Sequence, residues 1–370
     1  MKPMVDSRLA SPTNRGSITL REIRQQPELW GTTLERTASL PFLGELKRRT
    51  AIICGAGSSA YAASSVAQSW SGARAIPTTD LLVQSKEEVA RICPGFAQCG
   101  ALVSLARSGE SPESVGVVKR FRKLFPEAMQ LAITCNKEGQ LARMPGVESI
   151  VLDPRTNDQS LVMTGSFSNL ALAGLAVEHR EVLARQVPGI SATATVLLPE
   201  LESAARQLAA RKPLRVVVLT PPGLTPLAQE ACLKILEMTA GRVVALPETY
   251  LGLRHGPMSF LTGDTLVVCV LSSDRQRRLY ELALIRELKE KSLGCLVSLG
   301  REDFTDGLGQ TLVPAVAPGI PDEFRTPFEI IFLQLLGFHL SFGLGLDPDN
   351  PSPSGVITRV VRKFELYDDD

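Results

Sequence analysis

The sequence predicts an α/β protein made of two tandem doubly wound domains, each a mainly parallel sheet flanked by helices. Its 370 residues exceed one ordinary core and fit two units of about 150 residues each. From Thr50 onward, short apolar runs alternate with Gly- and Ser-rich loops and helical patterns, the order that parallel strands with right-handed crossovers produce. Past residue 196 the same alternation begins again, with little residue identity to the first round.

Taken in order, residues 1–17 are polar, contain Pro and Ser, and are expected to be disordered. Thr19 and Glu22 form a capping-box pattern, so a helix is expected to start at Thr19 and to end or kink before Pro27. A second helix is expected over residues 29–48. Residues 51–54 (AIIC) read as the first strand, GAGSSA as its loop, and residues 61–71 as a small-residue helix that packs closely on a sheet. Further strands are expected at 76–79, 101–105, 129–134 and 149–152, with a long helix at about 166–179. A linker near 187–189 and a helix over 197–210 lead to the second round. There the pattern reads strand 214–219, helix 226–240, strands 243–246 and 265–271, helix 275–291, strands 294–299 and 311–316, and a closing helix at about 324–342. The expected division is N-terminal tail and helices 1–48, first domain 49–195, second domain 196–361 and C-terminal tail 362–370.

Composition narrows the function. Forty basic against 39 acidic residues give a formal charge of +1 with no Lys/Arg block, so no field draws nucleic acid or a membrane surface. The N-terminus lacks the apolar core of a signal peptide. The longest apolar run, 328–346, is interrupted by Glu329, Gln334 and His339, which argues for a buried helix over a membrane span. A cytoplasmic protein is expected. The seven cysteines are scattered without C-x-x-C spacing, mostly in apolar runs, and read as buried free thiols rather than a metal or disulfide framework.

Three segments carry residues suited to chemistry. The first is the loop Gly55, Ala56, Gly57, Ser58, Ser59, which matches a dinucleotide fingerprint only in part, since Ala60 stands where a third Gly would be. Its hydroxyls suit a small ligand better than a nicotinamide cofactor, and no cofactor is expected. The second is residues 101–114, an apolar strand running into a turn of Ser108, Gly109 and Ser111, with a helix starting near Pro112. A bare Gly, two hydroxyls, the positive end of a helix and the neighbouring Arg107 can together hold a phosphate; Ser residues that merely cap the helix would explain the turn as well. The third is Glu230, Lys234 and Glu237, whose spacing puts them on one helical face, followed by His255 in the loop sequence LRHGP. An exposed ion-paired stripe and a surface His would account for the same spacing.

In combination, GAGSSAY, S-L-A-R-S-G-E-S-P-E-S, I-T-C-N, E-A-C-L-K-I-L-E and R-H-G-P resemble the sugar isomerase (SIS) family of phosphosugar-binding proteins, from about Glu22 to about Val361. IPTTDL, LKILEMTAG and PSPSGVITRVV are similar to its galactosamine-6-phosphate deaminase/isomerase branch, also described as tagatose-6-phosphate ketose/aldose isomerase. The resemblance implies two SIS-type domains. It implies that Ser58, Ser59, Arg107, Ser108 and Ser111 surround a sugar phosphate, with Thr164 and Ser166 closing over it. It further implies Glu237 as the base that moves a proton between sugar C1 and C2, His255 as the helper of ring opening, and Lys234 as the cation beside Glu237. No metal is implied. A homodimer or homotetramer with shared sites is implied, because the family's histidine commonly enters from a neighbouring subunit.

The chain departs from the pattern in places. At the spacing where the family's synthases carry a C-terminal lysine stands Val356, with Ser354, Thr358 and Arg359 nearby; Ala106 replaces the first phosphate hydroxyl, and PPGLTP lacks the Gly-rich character of its counterpart. Without a glutaminase domain the expected reaction runs toward deamination and isomerisation of an amino-sugar phosphate, or plain aldose/ketose isomerisation. A regulator that binds the sugar phosphate without turnover is the alternative from another class, and an etherase acting on a lactyl amino-sugar phosphate is a third.

Overall fold

The computed structural model describes residues 15–38, 40–308, 311–352, 354–360 and 365–367. Their strands form two five-stranded sheets in which every pairing is parallel. The first contains β1 (Thr50–Cys54), β2 (Ala73–Ala75), β3 (Gly100–Ala106), β4 (Met129–Thr134) and β5 (Glu148–Val151), ordered β2-β1-β3-β4-β5. The second contains β6 (Arg215–Thr220), β7 (Val244–Thr249), β8 (Leu266–Val270), β9 (Cys295–Gly300) and β10 (Thr311–Pro314), ordered β10-β9-β8-β6-β7. Read from β7, this is the order of the first sheet repeated. In each sheet the chain leaves its first strand to one side and returns on the other, which opens a crevice at the carboxyl ends of β1 and β3, and of β6 and β8.

The main helices are α1 (Ser17–Arg24), α2 (Gln26–Arg36), α3 (Ser58–Ser69), α4 (Pro112–Leu124), α5 (Gly165–Ala209), α6 (Thr225–Met238), α7 (Arg275–Glu290) and α8 (Thr326–Gly343). Helices α3, α5, α6 and α8 pack on one another between the sheets. One apolar core therefore runs from Ile53 and Val103 of the first sheet, through Phe167 and Phe328, to Val216 and Val268 of the second. Smaller cores line the outer faces, around Leu102, Phe96 and Phe121 in one half and Val217, Cys269 and Ile285 in the other. Strands covered on both faces read as unbroken apolar runs, which is why β1, β3, β6 and β8 stood out in the sequence. Helix α8 is the apolar run around residue 330; it is buried, and no helix among the described residues is long and apolar enough to cross a membrane.

Several expected elements differ. The strand expected at 76–79 is β2 at Ala73–Ala75 instead; Pro77 ends it, and Thr78–Leu81 is helical. The linker expected at 187–189 does not exist: α5 continues through Pro188 and Pro199, because Val187, Ile190, Ala194, Leu201 and Ala205 keep a buried stripe at helical spacing. Its one interruption is at His179, with φ −115° and ψ 28°. The helix expected over 29–48 is α2 followed by a separate turn at Leu43–Leu46. Nor is Thr19 a cap. Helix α1 starts at Ser17, the Thr19 N–H and hydroxyl donate to Asp349, and the Glu22 carboxylate turns to Ser160. The cysteines are free thiols, but Cys99 is exposed and Cys295 partly so. The disorder expected over 1–17 lies outside the described residues except for 15–17, and the tail at 362–370 except for 365–367.

Candidate active site

Backbone geometry shapes the crevice before any side chain enters it. A Cβ at Gly55 would lie 2.4 Å from the Ser59 backbone, so only glycine lets the chain leave β1 and turn at once into α3. Gly109 has φ +64° and bends the loop after β3 back over β4, where its carbonyl accepts the Leu141 N–H. The loop is further braced by Asn136, whose amide donates to Ser108 O at 3.0 Å, and by Thr134, whose hydroxyl donates to Arg107 O at 3.3 Å. Ser111 caps α4, its hydroxyl accepting the Ser114 N–H and donating to Ser114 Oγ at 2.7 Å.

These elements enclose a cavity of about 120 Å³ lined by Ser59, Ala106, Arg107, Ser108, Ser111, Met163 and Arg359, among others. Arg107 is 8% exposed and donates to the carbonyls of Leu161, at 3.4 Å, and Arg359, at 2.6 Å. Burial, and then the charge of Arg359, push its pKa below the ordinary arginine value. A cavity walled by hydroxyls, the N-terminus of a 13-residue helix and a cation held by neutral oxygens is built for an anion. A larger, mainly apolar cleft of about 500 Å³ between α1 and α8, lined by Leu20, Phe338 and Phe342, contains none of these residues.

The third segment arrives from the second half on α6, which packs against α3. Lys234 and Glu230 are both fully buried, so they are not an exposed stripe; Glu237 keeps a third of its side chain exposed. Lys234 Nζ hydrogen-bonds Glu237 Oε2 and lies 3.5 Å from Glu230 Oε1. Burial works against the Lys234 charge, yet Glu230 and Glu237 outweigh it and hold its pKa above the ordinary value. Burial pushes the Glu230 carboxyl up to about 8, against the pull of Lys234 and Ser58. Burial thus opposes the charge of Glu230, while the more exposed Glu237 is the carboxylate that Lys234 hydrogen-bonds. Half-buried Tyr61 of α3 feels the same charges: burial first, then Glu230, raises its hydroxyl pKa. Glu237 also acts on Arg107, so the pair on α6 and the anion cavity on the first sheet face one field.

No family model matches the chain. Over 372 residues it is 32% identical to the D-galactosamine-6-phosphate deaminase AgaS of Shewanella sp. strain ANA-3, with 94% of this chain and 91% of that one covered. The chain belongs to the AgaS family. An AgaS deaminase of Escherichia coli is 31% identical over 374 residues, with 95% and 96% covered. The solved tagatose-6-phosphate ketose/aldose isomerase of E. coli superposes with a TM-score of 0.81 at 28% identity, with 90% and 96% of the two chains covered. The fold is therefore the expected pair of SIS-type domains.

Seven of the ten candidate site residues from the sequence come together: Ser58, Ser59, Arg107, Ser108, Ser111, Lys234 and Glu237. Thr164 and Ser166 do not join them. Both are fully buried and donate to Asp158, which accepts the backbone N–H groups of Thr164, Gly165 and Ser166 and caps α5. They hold a helix end and do not wall the cavity. His255 is exposed on its loop, and among the described residues no side-chain contact ties it to Glu237 or Lys234. Val356 is 72% exposed, whereas Arg359, three residues on, reaches the cavity wall. Asp158 carried no sequence signal, being one acid in a loop without periodicity.

Proposed function

We propose that this chain deaminates and isomerises an amino-sugar phosphate such as D-galactosamine 6-phosphate, giving a ketose phosphate and ammonium. The observation that carries the reading is the Lys234–Glu237 pair, whose Glu237 charge acts on Arg107 in the wall of the hydroxyl-lined anion cavity. Ser59, Ser108, Ser111, Arg107 and the first N–H groups of α4 hold the phosphate, which fixes the far end of the sugar. Glu237 takes the proton from C2 of the open-chain aldose and returns it to C1. The enolamine thereby becomes a C2 imine; water adds to that carbon, and the C–N bond breaks to leave the ketose and ammonium. Lys234 stabilises the charge that develops on the sugar oxygen during the shift. His255 assists ring opening, and its exposed loop suits delivery into a second copy's site, so the working unit is a homodimer or homotetramer. The setting is the cytoplasm, where the substrate's phosphate keeps it.

The test is to incubate the purified protein with galactosamine 6-phosphate, glucosamine 6-phosphate and tagatose 6-phosphate, following ammonium and ketose. Turnover is expected with an amino sugar, and Glu237→Gln should lower kcat by about 10²- to 10⁴-fold. Parent-like turnover by that variant would remove Glu237 from the mechanism. Tight binding without turnover of any of the three would make the protein a sugar-phosphate sensor.

A further inference from the structure

The segment after α8 crosses the N-terminal helices and returns to the first half. Asp349 anchors it, accepting the N–H groups of Ile18 at 3.2 Å and Thr19 at 2.7 Å, while its carbonyl accepts the Leu161 N–H at 3.0 Å. Ten residues later Arg359 lies in the wall of the anion cavity. Its Nε donates to Asp158 O at 2.7 Å and its Nη2 to Asn157 Oδ1 at 2.6 Å. The loop that supplies those oxygens is itself fixed, because Glu22 accepts the backbone N–H groups of Gln159 and Ser160. The Arg359 guanidinium is thereby aimed by two acceptors on a braced loop, and among the described residues its Nη1 donates to no protein acceptor.

Two cations now share one wall. Arg107 is bound to the Arg359 carbonyl, and burial, then the Arg359 charge, lower its preference for the charged form. Among the described residues neither is paired with a carboxylate: every hydrogen bond they make goes to a neutral oxygen. Neighbouring like charges hydrogen-bonded only to neutral oxygens are unfavourable, and an arrangement that keeps them is matched to an anion from outside. A phosphate dianion would neutralise both.

We propose that Arg359 is a second cation of the phosphate clamp, contacting the sugar phosphate beside Arg107. The proposal rests on the phosphosugar reading above and names a residue for it. Because Arg359 reaches the cavity from a segment 252 positions away in sequence from Arg107, it also ties phosphate binding to the placement of the C-terminal strap.

The experiment measures inorganic phosphate affinity by titration calorimetry, and KM and kcat for galactosamine 6-phosphate, on the wild type, Arg359→Gln and Arg359→Lys. Arg359→Gln should weaken phosphate and raise KM by about 10- to 100-fold, with a smaller change in kcat, and Arg359→Lys should recover part of the loss. Thermal unfolding of each variant reports whether the strap's own contacts matter to folding. If Arg359→Gln is folded and binds phosphate within twofold of the wild type, the proposal fails, and turnover by the wild type would leave the deaminase reading standing. If the wild type turns over none of the sugars while phosphate binding still collapses in Arg359→Gln and returns in Arg359→Lys, the deaminase reading fails and the clamp assignment holds.

Discussion

The loop after β3 and the loop after β8 occupy the same place in two sheets of identical strand order, and they have opposite fates. Both follow the third strand of their half, both contain two serines, and both open a long helix, α4 and α7. In the first half the hydroxyls of Ser108 and Ser111 line an open cavity. In the second, the Asp322 carboxylate sits in the cradle. It accepts from Ser272 Oγ, from Ser273 N at 2.8 Å and Oγ at 3.0 Å, from Arg277 at 3.2 Å and from Arg325 at 3.1 Å. Burial alone would raise its pKa; these donors outweigh burial and hold it below the ordinary aspartate value. Asp158 comes from the matching segment of the first half, between the last strand and the closing helix, but turns instead onto the N-terminus of α5. One architecture thus makes an anion cradle twice. Which cradle stays open is decided by where a single acid points.

The comparison breaks most easily at Asp322. If its carboxylate is the structural anion of the second cradle, Asp322→Ala should destabilise the protein by about 3 to 5 kcal/mol in urea unfolding, because buried Arg325 loses one partner and Ser272 another. Below the transition the KM for sugar phosphate should stay within about twofold, since the first cradle is untouched. A loss under about 1 kcal/mol would mean that the second cradle does not need its anion.

How much of this was legible beforehand follows from which forces are local. Strands β1, β3, β6 and β8 were readable because a doubly covered strand is an apolar run between loop residues. Strand β2 was missed because Ala73, Arg74 and Ala75 are too few to show a period, while Ile76, Thr78 and Thr79 look more β-prone. Gly189 and Pro188 read as breaks, although in α5 their neighbours Val187 and Ile190 supply the buried face. Residue type alone suggested that Arg107, Ser108 and Ser111, which line the cavity, suit an anion. Glu230 and Lys234 share the spacing of any surface ion pair, and only the packing of α6 on α3 makes them a buried one. Thr164 and Ser166 had the right chemistry for a ligand, but Asp158 had already taken their donors.

A smaller effect separates the halves by pH. Glu281 of α7 is 2% exposed and accepts the Ser272 N–H at 2.9 Å behind the filled cradle. Burial, with the charge of Asp322 adding to it against that hydrogen bond, pushes its carboxyl up to about 8. Its folded pKa exceeds the unfolded value, so its contribution to stability is complete below about pH 4.5 and is lost as pH rises through about 8. Glu281→Gln keeps an acceptor and removes the proton equilibrium. Between pH 5 and 8 the wild type should therefore lose more unfolding free energy than the variant, by about 3 kcal/mol. Equal slopes would mean that Glu281 is ionised in the folded protein, and that the second cradle tolerates two carboxylates.

The smallest effect on stability should come from the open side, and it sharpens the contrast most. Arg107→Met removes a buried guanidinium of similar length that, among the described residues, pairs with no carboxylate. It gives up two hydrogen bonds to carbonyls but relieves repulsion from Arg359, so unfolding free energy should move by under about 1 kcal/mol in either direction. Inorganic phosphate affinity and the KM for the sugar phosphate should nevertheless worsen by about tenfold or more, because a charge-assisted contact is lost. The pairing of a nearly silent unfolding curve with a large binding defect is what an open cradle requires. If Arg107→Met instead unfolded the protein as readily as Asp322→Ala, Arg107 would be a structural partner like Arg325, and the two cradles would differ in shape but not in role.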